Sequence, residues 1–422
     1  MITRSKKSKT SVNANPQTSK EEANFDVIPV DLVREVMGRL PAKSVARFLL
    51  VSKLWEKIIR SRDFITSFPF RSCSSSQPRL LIAFGGLDSP EGRFGRHDAR
   101  RWDPRMQNWN FFSSTLSSSN FLSRSNVTCP LPNPEEIEYH SHYVNGLLSF
   151  GYGQQQFIVN PTTGKSIALP RVKTRRRFAK SFFGYDPVND EYKVLCMTEK
   201  LHGLPKKPSS QHQIYNLGGD IEKQKQKAWR LIECSLPHRP CSNGVCIDGV
   251  VYYLSKTGND LSQVSLMSFD LRSEKFGLVT GVPANTGIVV YTSWKTLFVL
   301  TYEGKVAIPI QASYAYEFDV WIMDPNDEKH EWTLMKISLG IETWKILFQY
   351  NQMIRIRGIT QTGEFILTPT SYKSDDVYVV YYNPNTDTLR KIKVEVNTDN
   401  DFRCPCPRGI VFSGYVESLW FL

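Results

Sequence analysis

No run of apolar residues in this chain approaches the ~20 needed to cross a bilayer as a helix. The first residues, Met1-Ile2-Thr3-Arg4-Ser5-Lys6-Lys7-Ser8-Lys9, are polar and basic, with no apolar stretch behind them to make a secretory signal. These absences predict a protein of the cytoplasm and/or nucleus with no membrane partner. The eight cysteines include no Cys-x-x-Cys knuckle, and Cys404-Pro405-Cys406 is too tight to chelate well, so no structural metal is expected. Reduced thiols suit the same compartment. Catalytic signatures are missing as well: there is no Gly-x-Ser-x-Gly, no phosphate-cradling Gly-x-x-x-x-Gly-Lys-Ser/Thr loop and no His-Glu-x-x-His. Of seven histidines only His140 and His142 lie close, and two neighbours on one strand face need further ligands to hold a metal. Catalysis and cofactors are therefore not expected.

Positive charge is abundant, with 53 Lys and Arg against 41 Asp and Glu. The excess is spread over the N-terminal tail, Lys173-Thr174-Arg175-Arg176-Arg177 and Lys206-Lys207. No stretch concentrates it among interleaved aromatics, so a nucleic-acid partner is not expected. A solvated basic surface, or one that meets an acidic protein, explains it more economically.

Residues 1–24 are too poor in apolar side chains to offset chain entropy and are expected to form a disordered basic tail. Arg4 to Lys9 reads either as a nuclear import signal or as a solubilising tail. Helical spacing begins near Phe25, with apolar residues at 29, 32, 33, 36, 37 and 40. Pro41 ends that helix and opens a second over residues 42–50. Ser52 is placed to cap a third over residues 53–60. Three short helices make a weak core and rely on a partner to cover their apolar face.

Ile28-Pro29-x-Asp31-Leu32-Val33, Arg39-Leu40-Pro41-Ala42-Lys43-Ser44-Val45, Arg47-Phe48 and Val51-Ser52-Lys53-x-Trp55 follow one another at the spacing of a plant F-box, which residues 25–70 resemble. The resemblance implies binding to a Skp-type adaptor, and through it to a cullin-RING complex. It implies adaptor contacts by Pro29, Leu32, Val33, Val36, Leu40, Pro41, Val45, Val51 and Trp55. Two departures stand out: Ile28 where Leu is common, and Leu49-Leu50 where a more polar pair is usual.

The Ser-rich stretch 71–79 reads as a linker. From residue 80 to 422 the pattern changes to short β-branched and aromatic runs between turn residues, such as Val250-Val251-Tyr252-Tyr253-Leu254. An Asp or Asn turn recurs at 103, 160, 270, 324 and 383, with a degenerate copy at Gly218, spaced by roughly 55 residues, and Trp102, Trp109, Trp229 and Trp332 sit at equivalent places. Tight hairpins such as Asn145-Gly146 and Asp248-Gly249 precede the later copies and suit type I′ turns. Two strands from each unit give four-stranded sheets. The expected fold is mainly β: a three-helix N-terminal module, then a kelch-like β-propeller of about six blades. Residues 409–415 are expected to pair with the first blade and close the ring. Similar strands also build a two-sheet sandwich, so the placement of the turns decides between the two folds.

The second region resembles the plant F-box-associated domain. The matching runs include Asn160-Pro161-Thr162-Thr163-Gly164, Phe183-Gly184-Tyr185-Asp186-Pro187 and Phe269-Asp270-Leu271-Arg272-Ser273-Glu274-Lys275-Phe276. They span about residues 140–395. Together the two resemblances imply the substrate-recognition subunit of an SCF ubiquitin ligase, which holds an unknown target and does no chemistry itself. An adaptor-bound scaffold acting outside a ligase and a propeller-fold enzyme are the alternatives. Arg175, Arg176 and Arg177, in a segment expected to loop out between blades, are the candidate target-binding residues; the other reading is a merely solvated loop.

Overall fold

A computed structural model of the chain describes residues 28–75, 79–86, 106–115, 122–130, 141–152, 154–199, 211–218, 228–258, 260–286, 297–311, 316–348, 354–369, 377–393 and 409–420. The expected tail, residues 1–24, lies outside them.

Four helices open the fold: α1 Val30–Gly38, α2 Ala42–Phe48, α3 Lys53–Ile59 and α4 Arg62–Ser75. Pro29 and Pro41 stand as the N-caps of α1 and α2. The Ser52 hydroxyl accepts from the Trp55 amide at 3.3 Å and caps α3. The module therefore has four helices, not three, and the stretch read as a linker over 71–79 is helical to Ser75 and becomes strand at Arg79. Phe64 and Phe68, one turn apart, anchor α4 in the helical core with ring centroids 6.0 Å apart. The Ser-rich residues then continue that helix.

Six four-stranded antiparallel sheets follow, arranged radially as the blades of a propeller. Blade 2 is β4 Ser141–Val144, β5 Leu147–Tyr152, β6 Gln155–Asn160 and β7 Lys165–Ala168. Blade 3 is β8 Arg177–Asp186, β9 Glu191–Glu199, β10 Gln211–Leu217 and β11 Arg230–Glu233. Blade 4 is β12 Arg239–Ile247, β13 Val250–Thr257, β14 Gln263–Asp270 and β15 Lys275–Gly281. Blade 5 is β16 Leu300–Tyr302, β17 Lys305–Gln311, β18 Glu317–Met323 and β19 Trp332–Ser338. A short helix, α5 Ile341–Leu347, leads to blade 6: β20 Ile354–Ile359, β21 Phe365–Pro369, β22 Tyr378–Asn383 and β23 Thr388–Lys393. Blade 1 joins both ends of the chain. β24 Gly409–Tyr415 is its innermost strand and pairs with β1 Arg79–Gly86, followed by β2 Met106–Thr115 and β3 Leu122–Pro130. The ring closes through the last strand, as the sequence predicts.

Alternation along each strand explains the packing, because successive side chains face opposite neighbours. Leu81 packs toward blade 2, whereas Leu80 and Ile82 join the cluster shared with blade 6. Phe183 and Val194 face blade 2, while Phe182 and Leu195 face blade 4. The core is thus a series of apolar wedges between blades.

Asn160, Asp270, Asp324 and Asn383 each join the third strand of a blade to its fourth, as the repeat requires. Asp103 lies outside the described residues, in the chain between β1 and β2. Because β24 supplies the innermost strand of blade 1, the N-terminal part of that blade starts one strand into the repeat. The tryptophans divide in the same way. Trp229 and Trp332 flank outer strands and donate to the carbonyls of Pro170 and Gly281 in the preceding blade's exit, at 2.6 and 3.0 Å. Trp109 instead stacks on Phe150 from β2, 4.9 Å between centroids; Trp102 lies outside the described residues.

Candidate functional site

The apolar stripe of α1 is wider than the core it serves. Val33 and Met37 turn into the helical core, with Leu40 packed against it. Leu32 and Val36, a turn apart on another face, are 56% and 60% exposed. Val45 is also core. Val33 and Val45 therefore hold the module together. Pro29, Pro41 and Val51 are exposed, and Trp55 is half-buried with its ring stacked on Phe48 at 5.0 Å. Ile28, Val30, Leu50 and Leu54, which motif matching did not select, are exposed too, Leu50 by 92%. Leu50 was visible in the sequence only as a departure from the usual polar pair. Exposed apolar side chains from α1, the α2–α3 turn and α3 mark a surface suited to a partner.

The helical module is fixed to one side of the ring. Innermost strands end at the hairpins after residues 144, 186, 247, 302 and 359, so these turns share that side. Arg62 of α4 pairs there with Asp190, Nε to Oδ2 3.3 Å. Asp190 also accepts from the Tyr185 hydroxyl at 2.6 Å; burial first, and then this bond, raise the Tyr185 pKa above the usual phenol range. The tail beyond β24 forms the main joint. Glu417, 2% exposed, accepts from the Ala42 amide and from Arg79, both at 2.6 Å. Leu419 sits in the helical core, and Trp420 enters the wedge between blades 2 and 3, edge-on to Tyr192. The Asn160 side-chain amide donates to the carbonyls of Ser418 and Trp420 at 3.0 and 2.6 Å. None of these tail contacts was foreseen.

The opposite side of the ring carries the loops between second and third strands and between blades. Residues 171–176 lie there, between β7 and β8. Only part of the expected basic loop loops out. Arg171, Lys173 and Arg175 are exposed. Arg176 is bound to its own blade, Nε to the Thr198 hydroxyl at 3.0 Å and one terminal nitrogen to Gln211 at 3.3 Å. Arg177 already pairs in β8 opposite Glu199, and Lys180 is buried in the strand. His142 is buried against Phe182; His140 lies outside the described residues. Among the described residues no group of three or more His, Cys, Asp or Glu is arranged to hold a metal ion.

A small helical module with an uncovered apolar face, clamped to a propeller, is the layout of an adaptor-type protein that receives another. The comparisons agree. The F-box domain model matches residues 25–67, and the F-box associated beta propeller domain model matches residues 98–416. A putative F-box protein of Arabidopsis thaliana is 50% identical over 396 residues, covering 94% of this chain and 83% of that one. An F-box protein of the same plant is 45% identical over 410 residues, covering 95% of this chain and 94% of that one. The chain belongs to the family of F-box proteins with an F-box-associated β-propeller. That membership supports a role in substrate recognition.

Proposed function

We propose that this protein is the substrate-recognition subunit of an SCF ubiquitin ligase. The observation that carries the reading is the exposed apolar face of the F-box, formed by Leu32, Val36, Leu50, Val51 and Leu54. It suits a groove on a Skp-type adaptor, which would link the chain to a cullin-RING complex. The ring would hold the target on its loop side, away from the F-box. Such a protein accelerates ubiquitin transfer by raising the effective concentration of a target lysine near the charged enzyme. Free thiols at Cys196, Cys234, Cys241 and Cys246 suit the cytoplasm or nucleus.

Val36→Asp with Leu50→Asp places two charges on the face without touching the helical core. Co-purification with a Skp-type adaptor should fall at least about 100-fold, as expected when two central contacts are lost. Undiminished capture would overturn the assignment. The same variant should still hold its target without delivering it. Deleting the F-box is a poorer trap, because Leu419 would lose the helical core it packs in and Glu417 the Ala42 amide. Changing Arg171, Lys173 and Arg175 to Ala in that trap tests whether the exposed basic loop reads an acidic stretch. Identical captured proteins in identical amounts would move the search elsewhere on the loop side.

A further inference from the structure

The connector between blades 2 and 3 carries its charge in a pattern. Arg171, Lys173 and Arg175 are exposed, whereas Val172 is buried and Thr174 and Arg176 are half-buried. Burial that alternates residue by residue marks an extended chain, so the three cations stand in a row on one side, roughly 6–7 Å apart. The row is held from beneath. The Val172 amide donates to the Gln154 carbonyl at 2.9 Å, and the Gln154 side-chain amide to the Thr174 carbonyl at 3.2 Å. The Gln213 side-chain amide donates to the Lys173 carbonyl, also at 3.2 Å. Among the described residues no carboxylate pairs with the three cations. An exposed leucine adjoins them. Leu231 of β11, 72% exposed, is the ladder partner of Gln213. Ladder partners share a sheet face, and Trp229, two residues before Leu231, packs on that face toward blade 2. Glu233, next on the same face, stands opposite Gln211, the residue that binds Arg176.

Charges fixed at strand spacing select a partner of the same spacing, because an extended chain also presents every second side chain on one side. We propose that this surface docks the target, and that it takes an extended segment with acidic side chains at every second position and an apolar side chain beside them. The carboxylates meet Arg171, Lys173 and Arg175, and the apolar side chain covers Leu231. The inference rests on the reading of the chain as a substrate-recognition subunit and names the chemistry of what it receives. Ile341 and Ile346 of α5 are exposed on the loop side too, but across the ring, between blades 5 and 6. Between them Glu342 and Lys345 already form an ion pair, 2.9 Å apart.

The test uses the full chain without adaptor, followed by fluorescence anisotropy of two labelled heptapeptides built from Leu, Thr and Glu. One carries Glu at its second, fourth and sixth positions; the other has the same composition with its Glu residues adjacent. The alternating peptide should bind at least about fivefold more tightly, and both should weaken as salt is added. Lys173→Ala should cost about two- to fivefold, the range for one exposed ion pair. Arg171→Glu, Lys173→Glu and Arg175→Glu together should abolish binding and transfer it to the alternating peptide made with Lys in place of Glu. Leu231→Asp should weaken binding several-fold, and Ile346→Asp should leave it unchanged. All these positions are exposed, so melting midpoints should stay at the parent value. No binding to the parent protein, equal affinity for the two peptides, or binding untouched by the charge reversal overturns the proposal. With adaptor capture intact, such a result leaves the substrate-recognition role standing and moves the target contact elsewhere. Peptide selectivity in a chain that captures no adaptor upholds this surface and overturns the ligase reading alone.

Discussion

His212 and His238 read from the sequence as scattered residues, yet β10 and β12 bring their rings to 6.5 Å in the wedge between blades 3 and 4. Nothing local in a chain signals such a meeting, because it depends on which strands become neighbours. His238 Nε2 pairs with the Tyr253 hydroxyl at 2.9 Å, and the Thr198 amide donates to His212 Nδ1 at 3.3 Å. Burial, then the charges of His238 and Arg176, pull the His212 pKa down to about 3. Burial also lowers His238, against the hydrogen bond with the Leu236 carbonyl. In the unfolded chain both titrate near ~6.5. As pH falls below that value, the unfolded chain takes protons that the folded wedge refuses, so stability is lost from about pH 6.5 downward, to about 3 for His212. The slope approaches ~1.4 kcal/mol per pH unit for His212, and His238 adds to it in the same direction. Carboxylates add little between pH 7 and 5: Glu274, for example, is held low because bonds from Arg230 and Lys193 outweigh the effect of its burial. The melting midpoint should therefore fall steadily across that window, and His212→Gln should flatten the fall. An unchanged slope in the variant would show that these histidines do not set the acid limit. Arginines 175 to 177 teach a similar lesson. Their charge was plain in the sequence, but not that Arg176 would be tied to Thr198 and Gln211.

At the scale of elements, the hairpins were legible because turn chemistry is local. Asn145-Gly146, Asp248-Gly249 and Glu303-Gly304 all have positive φ at both positions, 46° and 84°, 48° and 82°, 49° and 76°. The β24 closure was legible too, from an apolar run left over at the end of the repeats. Helix α4 was not, because its Ser-rich half resembles a boundary and only the Phe64/Phe68 anchors mark the helix. The repeat is counted along the chain, whereas blade 1 takes its innermost strand from the far end and so starts out of phase. Two glycines in equivalent turns separate local strain from packing. A Cβ on Gly304 would meet nothing within 4 Å, whereas on Gly146 it would lie 2.6 Å from the Ser418 Cβ and 2.9 Å from the Val416 carbonyl. Gly304→Ala should cost only the backbone strain, about 1–2 kcal/mol. Gly146→Ala should cost that and also push the tail from its seat, so denaturant melts should show it as clearly the less stable. Equal losses would mean that the tail does not pack against this turn.

For the whole molecule, the decisive contact joins residues 375 positions apart, Ala42 and Glu417. No pattern in either segment announces it: residues 416–422 lie past the last repeat, and the F-box resemblance ends near Phe68. The physical need was visible, since three short helices cannot bury enough apolar surface alone. The chain meets that need partly with its own end, because Leu419 is fully buried among Met37, Val45 and Ile59. The consequence is a fixed angle between the adaptor-facing helices and the loop side of the ring, with Asn160, Arg79 and Arg62 as further ties. Leu419→Ala tests this without altering either binding face. Truncating a buried Leu costs about 2–5 kcal/mol, and here the loss falls on the module with the smaller core. The F-box should then melt in a separate, earlier step, while the ring, still closed by β24, unfolds near its original midpoint. Amide exchange across residues 53–68 should accelerate, and proteases should cut between residues 59 and 79 while sparing the blades. Adaptor capture should weaken although Leu32, Val36 and Leu50 are unchanged, because an F-box that frays must be reordered before it docks. If exchange, cleavage and capture all match the parent protein, the tail is an ornament on the ring, and the F-box stands on contacts within its own four helices.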